Sequence, residues 1–199
     1  MAKTNVKIIG LSGKVGSGKS FVAEHISRET GIRLVKLDYQ AAQAASKPVL
    51  RQLLQRKLKL KIPKAHEDIQ LFPLMKNMEK NFSKLEFALF RMFLNRKVKK
   101  LIRKSKESLI IDFVALPILK IAKNFDEMYV TKSDENMRFE KLGARDNMSV
   151  EEAKRVDKLV EPYYKYNDAF SFADVIEINY QYLPKNVDEI ITNIKKSVG

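Results

Sequence analysis

The sequence predicts an α/β fold built on a parallel sheet of five strands. Three observations carry this prediction. Short apolar runs alternate with stretches whose apolar residues recur at helical spacing, the pattern of βαβ units. A glycine-rich loop, Gly13-Lys14-Val15-Gly16-Ser17-Gly18-Lys19-Ser20, joins the first such run to the first helix. Acidic residues, Asp38 and Asp112, close the second and third runs, where open α/β sheets gather their ligands.

In chain order, Val6 to Leu11 gives the first strand, and the stretch from Phe21 continues as a helix until Gly31. Ile32 to Leu37 alternates partly and is β-branched enough for the second strand. Tyr39-Gln40-Ala41-Ala42 opens the next helix, for which Asp38 is a candidate N-cap. From Pro48 to about residue 106 the chain turns helical, with Pro63 and Pro73 as breaks and residues 74–104 as one or two long amphipathic helices. The basic run from Arg96 to Lys104 reads as a solvated helix face, with a groove for a polyanion as the alternative. Ser108 to Ile111 is the third strand. A short helix or turn at Pro117 to Ala122 leads to the fourth, Asp126 to Thr131. Ser133-Asp134-Glu135-Asn136 caps a helix that ends near Gly143. Ser149 and Glu152 form a capping box that opens another helix through Val160. Ala173 to Asn179 is the fifth strand and Asn186 to Ser197 a closing amphipathic helix.

The loop fits the phosphate-binding pattern G-x-x-x-x-G-K-[ST], in the strand–loop–helix context that pattern requires. Glycine lets backbone N–H groups approach a polyphosphate closely, and the helix start adds unpaired N–H groups and the positive end of a dipole. Lys19 reaches the β and γ phosphates and the Ser20 hydroxyl ligates Mg²⁺. Asp112, an acid closing an apolar strand, is the second metal candidate. Asp38 is the candidate to meet an acceptor hydroxyl, a role compatible with capping. Arg138 and Arg145 flank a helix–loop–helix, residues 134–160, that folds over the nucleotide as a lid and neutralises the transferring phosphoryl group.

Of the 199 residues, 45% are hydrophobic and 31% charged, a globular composition. No apolar run is long enough to cross a membrane, no secretory signal is visible, and cysteine is absent. A cytoplasmic enzyme without disulfides is the expectation. The formal net charge of +14 attracts polyanions, although a compositional bias toward Lys and Asn explains it equally well.

Taken together, these segments resemble the dephospho-coenzyme A kinase family from Ile8 to Asn179. Ser12 to Ser20 is similar to the family's T-G-G-I-G-S-G-K-S. Asp38 falls on the second Asp of its D-x-D, and Leu109-Ile110-Ile111-Asp112 on the strand before its D-x-P-L-L motif. Arg145-Asp146-Asn147-Met148-Ser149-Val150-Glu151-Glu152-Ala153 resembles its R-D-x-[ML]-[ST]-x-E-x-A lid segment. Ala173-Asp174-Val175-Ile176-Glu177-Ile178-Asn179 resembles its A-D-x-V-I-x-N strand. The resemblance implies a P-loop kinase core at residues 1–47 and 107–199 and a helical coenzyme-binding insert at residues 48–106. It implies transfer of the γ-phosphoryl of ATP to the ribose 3′-hydroxyl of dephospho-coenzyme A. On this reading Gly13, Lys14, Val15, Gly16, Ser17, Gly18, Lys19, Ser20 and Phe21 bind ATP, and Ser20 and Asp112 hold Mg²⁺. Lys19, Asp38, Arg138 and Arg145 are catalytic, and a monomer with no nucleic-acid partner is expected. The chain departs from the family at Lys14 (its second loop glycine), Phe21 (its Thr), Lys36 (the first Asp of D-x-D) and Leu94-Asn95 (its His-Pro). Phe113-Val114 follow Asp112 without the family's proline, and about three extra residues stand near Val160 to Asn167. The alternatives are another small-molecule kinase of the same fold and a nucleotide-gated nucleic-acid-binding protein.

Overall fold

Ile8–Gly13 (β1) is buried along its whole length and pairs on both sides, as a continuous apolar run in a parallel sheet requires. The computed structural model describes residues 6–59, 61–65, 84–114, 116, 124–146, 149–152, 154–155, 157–158, 174–178 and 185–198. The other strands are Arg33–Lys36 (β2), Leu109–Asp112 (β3), Glu127–Ser133 (β4) and Asp174–Ile178 (β5). All pair in parallel, in the spatial order β2-β3-β1-β4-β5.

The helices are Lys19–Thr30 (α1), Leu37–Ser46 (α2), Pro48–Leu58 (α3), Lys84–Lys104 (α4), Glu135–Asp146 (α5) and Lys185–Val198 (α6). Their ends follow local chemistry. α1 stops at Gly31, which takes φ 72° and donates its N–H to the Ser27 carbonyl at 2.9 Å. Pro48 starts α3 at a position where its missing N–H costs nothing. The Asp134 side chain caps α5 by accepting the Met137 N–H at 3.0 Å. The capping box is formed in both directions: the Glu152 N–H bonds Ser149 Oγ at 3.2 Å, and the Ser149 N–H bonds Glu152 Oε2 at 2.9 Å.

The two faces of the sheet bury two cores. Ile9, Leu11, Ile110 and Ile176 pack with Val22 and Ile26 of α1 and with Val187, Ile191 and Ile194 of α6. Ile8, Val35, Leu109, Ile111 and Met128 pack with Val98 of α4, joined by Leu94, Leu101 and Ile102. The strict face alternation of Ile8 and Ile9, and of Ile110 and Ile111, is the period-2 geometry of a strand. On α4 this seam leaves Arg96, Lys100, Arg103 and Lys104 on a solvated face, while Lys97 of the same run lines a groove with Leu94, Val98 and Leu101.

Some expected boundaries move. β1 lies two residues later than expected and runs into Gly13. α2 begins directly at Leu37, so Asp38 sits in its first turn and is not its N-cap. Leu37 is buried, which pulls the helix start onto the sheet, and an acid in the first turn favours the helix dipole. α5 continues through Gly143 to Asp146, since Phe139 and Leu142 dock its face before the glycine and outweigh a modest propensity cost. The expected segment at Pro117 to Ala122, Pro73 with the first part of the long insert helix, and Val160 to Asn167 lie outside the described residues. Among the described residues no helix is long and apolar enough to cross a membrane.

Candidate functional site

Register brings the expected residues to one end of the sheet. Leu11 of β1 lies beside Asp112 of β3, which lies beside Lys36 of β2. The phosphate loop leaves β1 immediately after this level, and Asp38 follows two residues past Lys36. On the other flank Gly13 is in register with Thr131 of β4.

The loop geometry depends on glycine at two positions in particular. Gly13 has φ 156°, and a Cβ there would lie 2.1 Å from Thr131 Oγ1. Gly16 has φ 79°, and its Cβ would lie 2.7 Å from Leu142 Cγ of α5. Ser17 fastens the loop to the sheet through a 2.6 Å hydroxyl pair with Thr131, and the Ser17 N–H closes a turn onto the Lys14 carbonyl at 3.1 Å. The first intrahelical bond of α1 runs from the Val22 N–H to Gly18 at 3.1 Å. The N–H groups of Lys19, Ser20 and Phe21 therefore have no partner within the helix and stand at its positive end.

Lys19 and Asp112, both buried, form an ion pair, and Ser20 Oγ donates to the other carboxylate oxygen of Asp112 at 2.9 Å. Burial of a lone charge costs several kcal/mol, so each of these two buried groups needs the other as its partner beneath the loop. Asp38 faces the same pair. Burial lifts its carboxyl from 3.8 to about 6, Lys19 pulls it down and Asp112 pushes it up. The carboxylates of Asp112, at the end of β3, and of Asp38, in the first turn of α2, thus both lie within electrostatic reach of the loop lysine. Lys36, in place of an acid, pairs at 2.5 Å with Glu24 on the exposed side of α1.

On the far side of the loop, α5 presents Arg138. Arg138 is 2% exposed and does not face open solvent. It forms a bidentate pair with Asp157, with Nη1 to Oδ1 at 2.5 Å, and Nη1 also donates to the Val15 carbonyl at 3.1 Å. Its Cζ lies 4.6 Å from the centre of the Phe139 ring, and Glu135 is 3.6 Å away. Lys14 Nζ meets the same Asp157 at 3.1 Å. Asp157 was not singled out from the sequence. Its signal there is an acid on the apolar stripe Ala153, Val156, Val160 of a predicted helix, which needs a cation once buried. Arg145 ends the same helix as Arg138, but its side chain lies outside the described residues. Phe21 is 62% exposed, next to Ser20.

These groups suit phosphoryl transfer from a nucleotide: N–H donors and a lysine for the phosphates, and a carboxylate of raised pKa for an incoming hydroxyl. Among the described residues no cluster of three His, Cys, Asp or Glu could hold a metal. Ser20 with Asp112 nevertheless fits Mg²⁺, which takes one or two protein oxygens and completes its shell with phosphate and water.

A profile of the dephospho-CoA kinase family matches residues 7–179. The chain is 32% identical over 164 residues to a dephospho-CoA kinase of Streptococcus agalactiae, covering 74% of this chain and 78% of that one. Among solved structures it is similar to TT1252 from Thermus thermophilus, with TM-score 0.65 and 16% identity over 98% of this chain and 99% of that one. It is also similar to a dephospho-CoA kinase from Campylobacter jejuni, with TM-score 0.56 and 16% identity over 95% and 97% of the two chains. At that identity the structural likeness speaks for the fold.

Proposed function

This chain belongs to the dephospho-CoA kinase family and its reaction is the ATP-dependent phosphorylation of dephospho-CoA to CoA; from that premise we propose which of its residues do the work. The observation that carries the assignment is the cluster of Lys19, Asp112 and Asp38 at the mouth of the phosphate loop. The N–H groups from Gly13 to Phe21 hold the triphosphate. Lys19 turns from Asp112 to the β and γ phosphates. Ser20 and Asp112 are the residues that would hold Mg²⁺, and the ion would supply charge neutralisation there.

Asp38 accepts the proton of the ribose 3′-hydroxyl, and its raised pKa supports this, since a base near the working pH transfers protons best. Arg145 closes over the γ-phosphate, and Arg138 supports the loop from behind through Val15. Residues 134–160 act as the lid. The helical insert, residues 48–106, grips the coenzyme. In support, Leu94, Val98 and Leu101 of α4 line a groove with Leu37 and Ala41 of α2, one residue from Asp38. With little covalent work to do, the protein acts by positioning and by neutralising charge.

An acceptor screen with radiolabelled ATP tests the reading. Label is expected in dephospho-CoA in preference to nucleosides, nucleotides and shikimate. Asp38→Asn is expected to bind ATP normally and to turn over at least about a hundredfold more slowly, the scale of general-base catalysis. Normal turnover by that variant would remove Asp38 from the base role.

A further inference from the structure

We propose that Asp157 is a positioning residue of the nucleotide site, holding the tip of the phosphate loop through Lys14 and Arg138. The proposal rests on the assignment of Gly13–Ser20 as the phosphate cradle and adds a residue that this assignment does not use.

One carboxylate, 6% exposed, serves two cations from two different elements. Lys14 belongs to the loop itself, and Arg138 to α5. Stability alone is a poor account of such a cluster. Burying a guanidinium and a carboxylate costs several kcal/mol each, and an apolar trio of similar volume would pack as well or better. What the cluster does deliver is geometry. The loop tip, Lys14-Val15-Gly16, lies between strand and helix and has neither ladder to fix it. From the sheet side, Ser17 ties the loop to Thr131. From the other side, Asp157 ties it twice: directly through the Lys14 ammonium, and indirectly through Arg138, whose Nη1 bonds the Val15 carbonyl while both guanidinium nitrogens sit on Asp157.

Turning the Val15 carbonyl outward onto Arg138 favours N–H groups over carbonyls on the cradle's inner side. The Gly16 backbone is pressed against Leu142 and Arg138 with no room for a Cβ, so the loop tip cannot drift while Arg138 stays in place. The cluster carries two cationic groups against Asp157, with Glu135 near Arg138 but mostly exposed and so screened. Counting Glu135, two cations face two carboxylates, so what the cluster supplies to the cradle is position rather than net charge. Lys14 lies in the glycine loop itself, so the direct arm acts on the cradle with no residue between.

The test is ADP binding by calorimetry alongside steady-state kinetics, on the full chain. Asp157→Asn preserves shape and removes charge. It is expected to weaken ADP binding and to raise the ATP KM about tenfold together, a fraction of the full cost of losing one partner of a buried charge pair, since only part of it reaches the nucleotide. kcat is expected to change less than the KM, and Asp157→Glu to recover most of the affinity. Lys14→Met, at a side chain 39% exposed, is expected to fold, to weaken ADP binding about threefold, and to be non-additive with Asp157→Asn. A structural brace with no bearing on the nucleotide would lower the melting temperature of Asp157→Asn and leave ADP affinity and KM unchanged. That result overturns the proposal, and so does additivity of the two substitutions. Should Asp157→Asn fail to fold, unchanged ADP affinity in Lys14→Met overturns it. Because ADP binding needs no acceptor, failure of the kinase assignment reads separately, as wild-type protein that binds ADP but does not turn over dephospho-CoA.

Discussion

Asp38 carries the sharpest residue-scale prediction, because its raised pKa ties activity and stability together with opposite signs. The folded protein holds the Asp38 proton up to about pH 6, whereas an unfolded chain releases it near 3.8. As pH rises between those values the unfolded state ionises first, so the group costs stability that is fully lost above the folded pKa. Asp38→Asn is therefore expected to raise the melting temperature at pH 8 and to leave it nearly unchanged at pH 3.5. The same variant is expected to lose turnover, and the wild-type kcat/KM is expected to fall as pH drops through about 6. A second prediction concerns Phe21. Its ring is 62% exposed, so Phe21→Thr is expected to change stability by less than about 0.5 kcal/mol. A lower ATP KM in that variant would trace the gain to the restored hydroxyl. At this scale the sequence was legible wherever residues act through local spacing: the loop pattern placed Lys19 and Ser20, and the strand ends placed Asp38 and Asp112. Asp157 was not legible in that way, because its partners lie 143 and 19 positions away. Only the fold brings them together. Arg138 was expected on a lid and is buried instead, which the sequence could not show because its exposure depends on how α5 docks.

Among the elements, α5 packs against the glycine loop, with Leu142 and Arg138 against Gly16 and Val15 beside Phe139 and Leu142. Gly16 and Gly31 both take the left-handed backbone, at φ 79° and 72°, but a Cβ at Gly31 meets open space while one at Gly16 meets Leu142. Alanine at either site is expected to cost about 1–3 kcal/mol of backbone strain. Gly16→Ala is expected to cost more than Gly31→Ala by denaturant titration, and only Gly16→Ala to weaken nucleotide binding. Equal costs with unaltered binding in both variants would mean that the helix yields freely and does not brace the loop. Element existence and type followed from periodicity, as in the apolar runs of β1 and β3. Their ends did not. The expected stop at Gly143 assumed that local propensity rules, whereas packing of Phe139 and Leu142 carries α5 onward. The expected cap at Asp38 assumed a loop after β2, and burial of Leu37 removes it.

Across the molecule, the parallel sheet explains why residues scattered from Gly13 to Asp157 meet. Parallel strands point their carboxyl ends the same way, so every strand-end acid and the loop after β1 arrive at one edge. The alternation of strands and helices made this much readable in advance, while the strand order with β1 between β3 and β4 came from the pairing itself. The net charge of +14 is spread in part along the solvated face of α4, and a field of that sign attracts polyanions in general and is screened by salt. Raising ionic strength is accordingly expected to raise KM for ATP and for dephospho-CoA with a smaller effect on kcat. The most direct measurement is ADP release in a coupled assay, with ATP and dephospho-CoA supplied to the purified chain and to Lys19→Met. The account predicts saturable ADP release that depends on dephospho-CoA, yields CoA in equal amount and falls by orders of magnitude in the variant. ADP release that ignores dephospho-CoA, or that survives loss of Lys19, would contradict it.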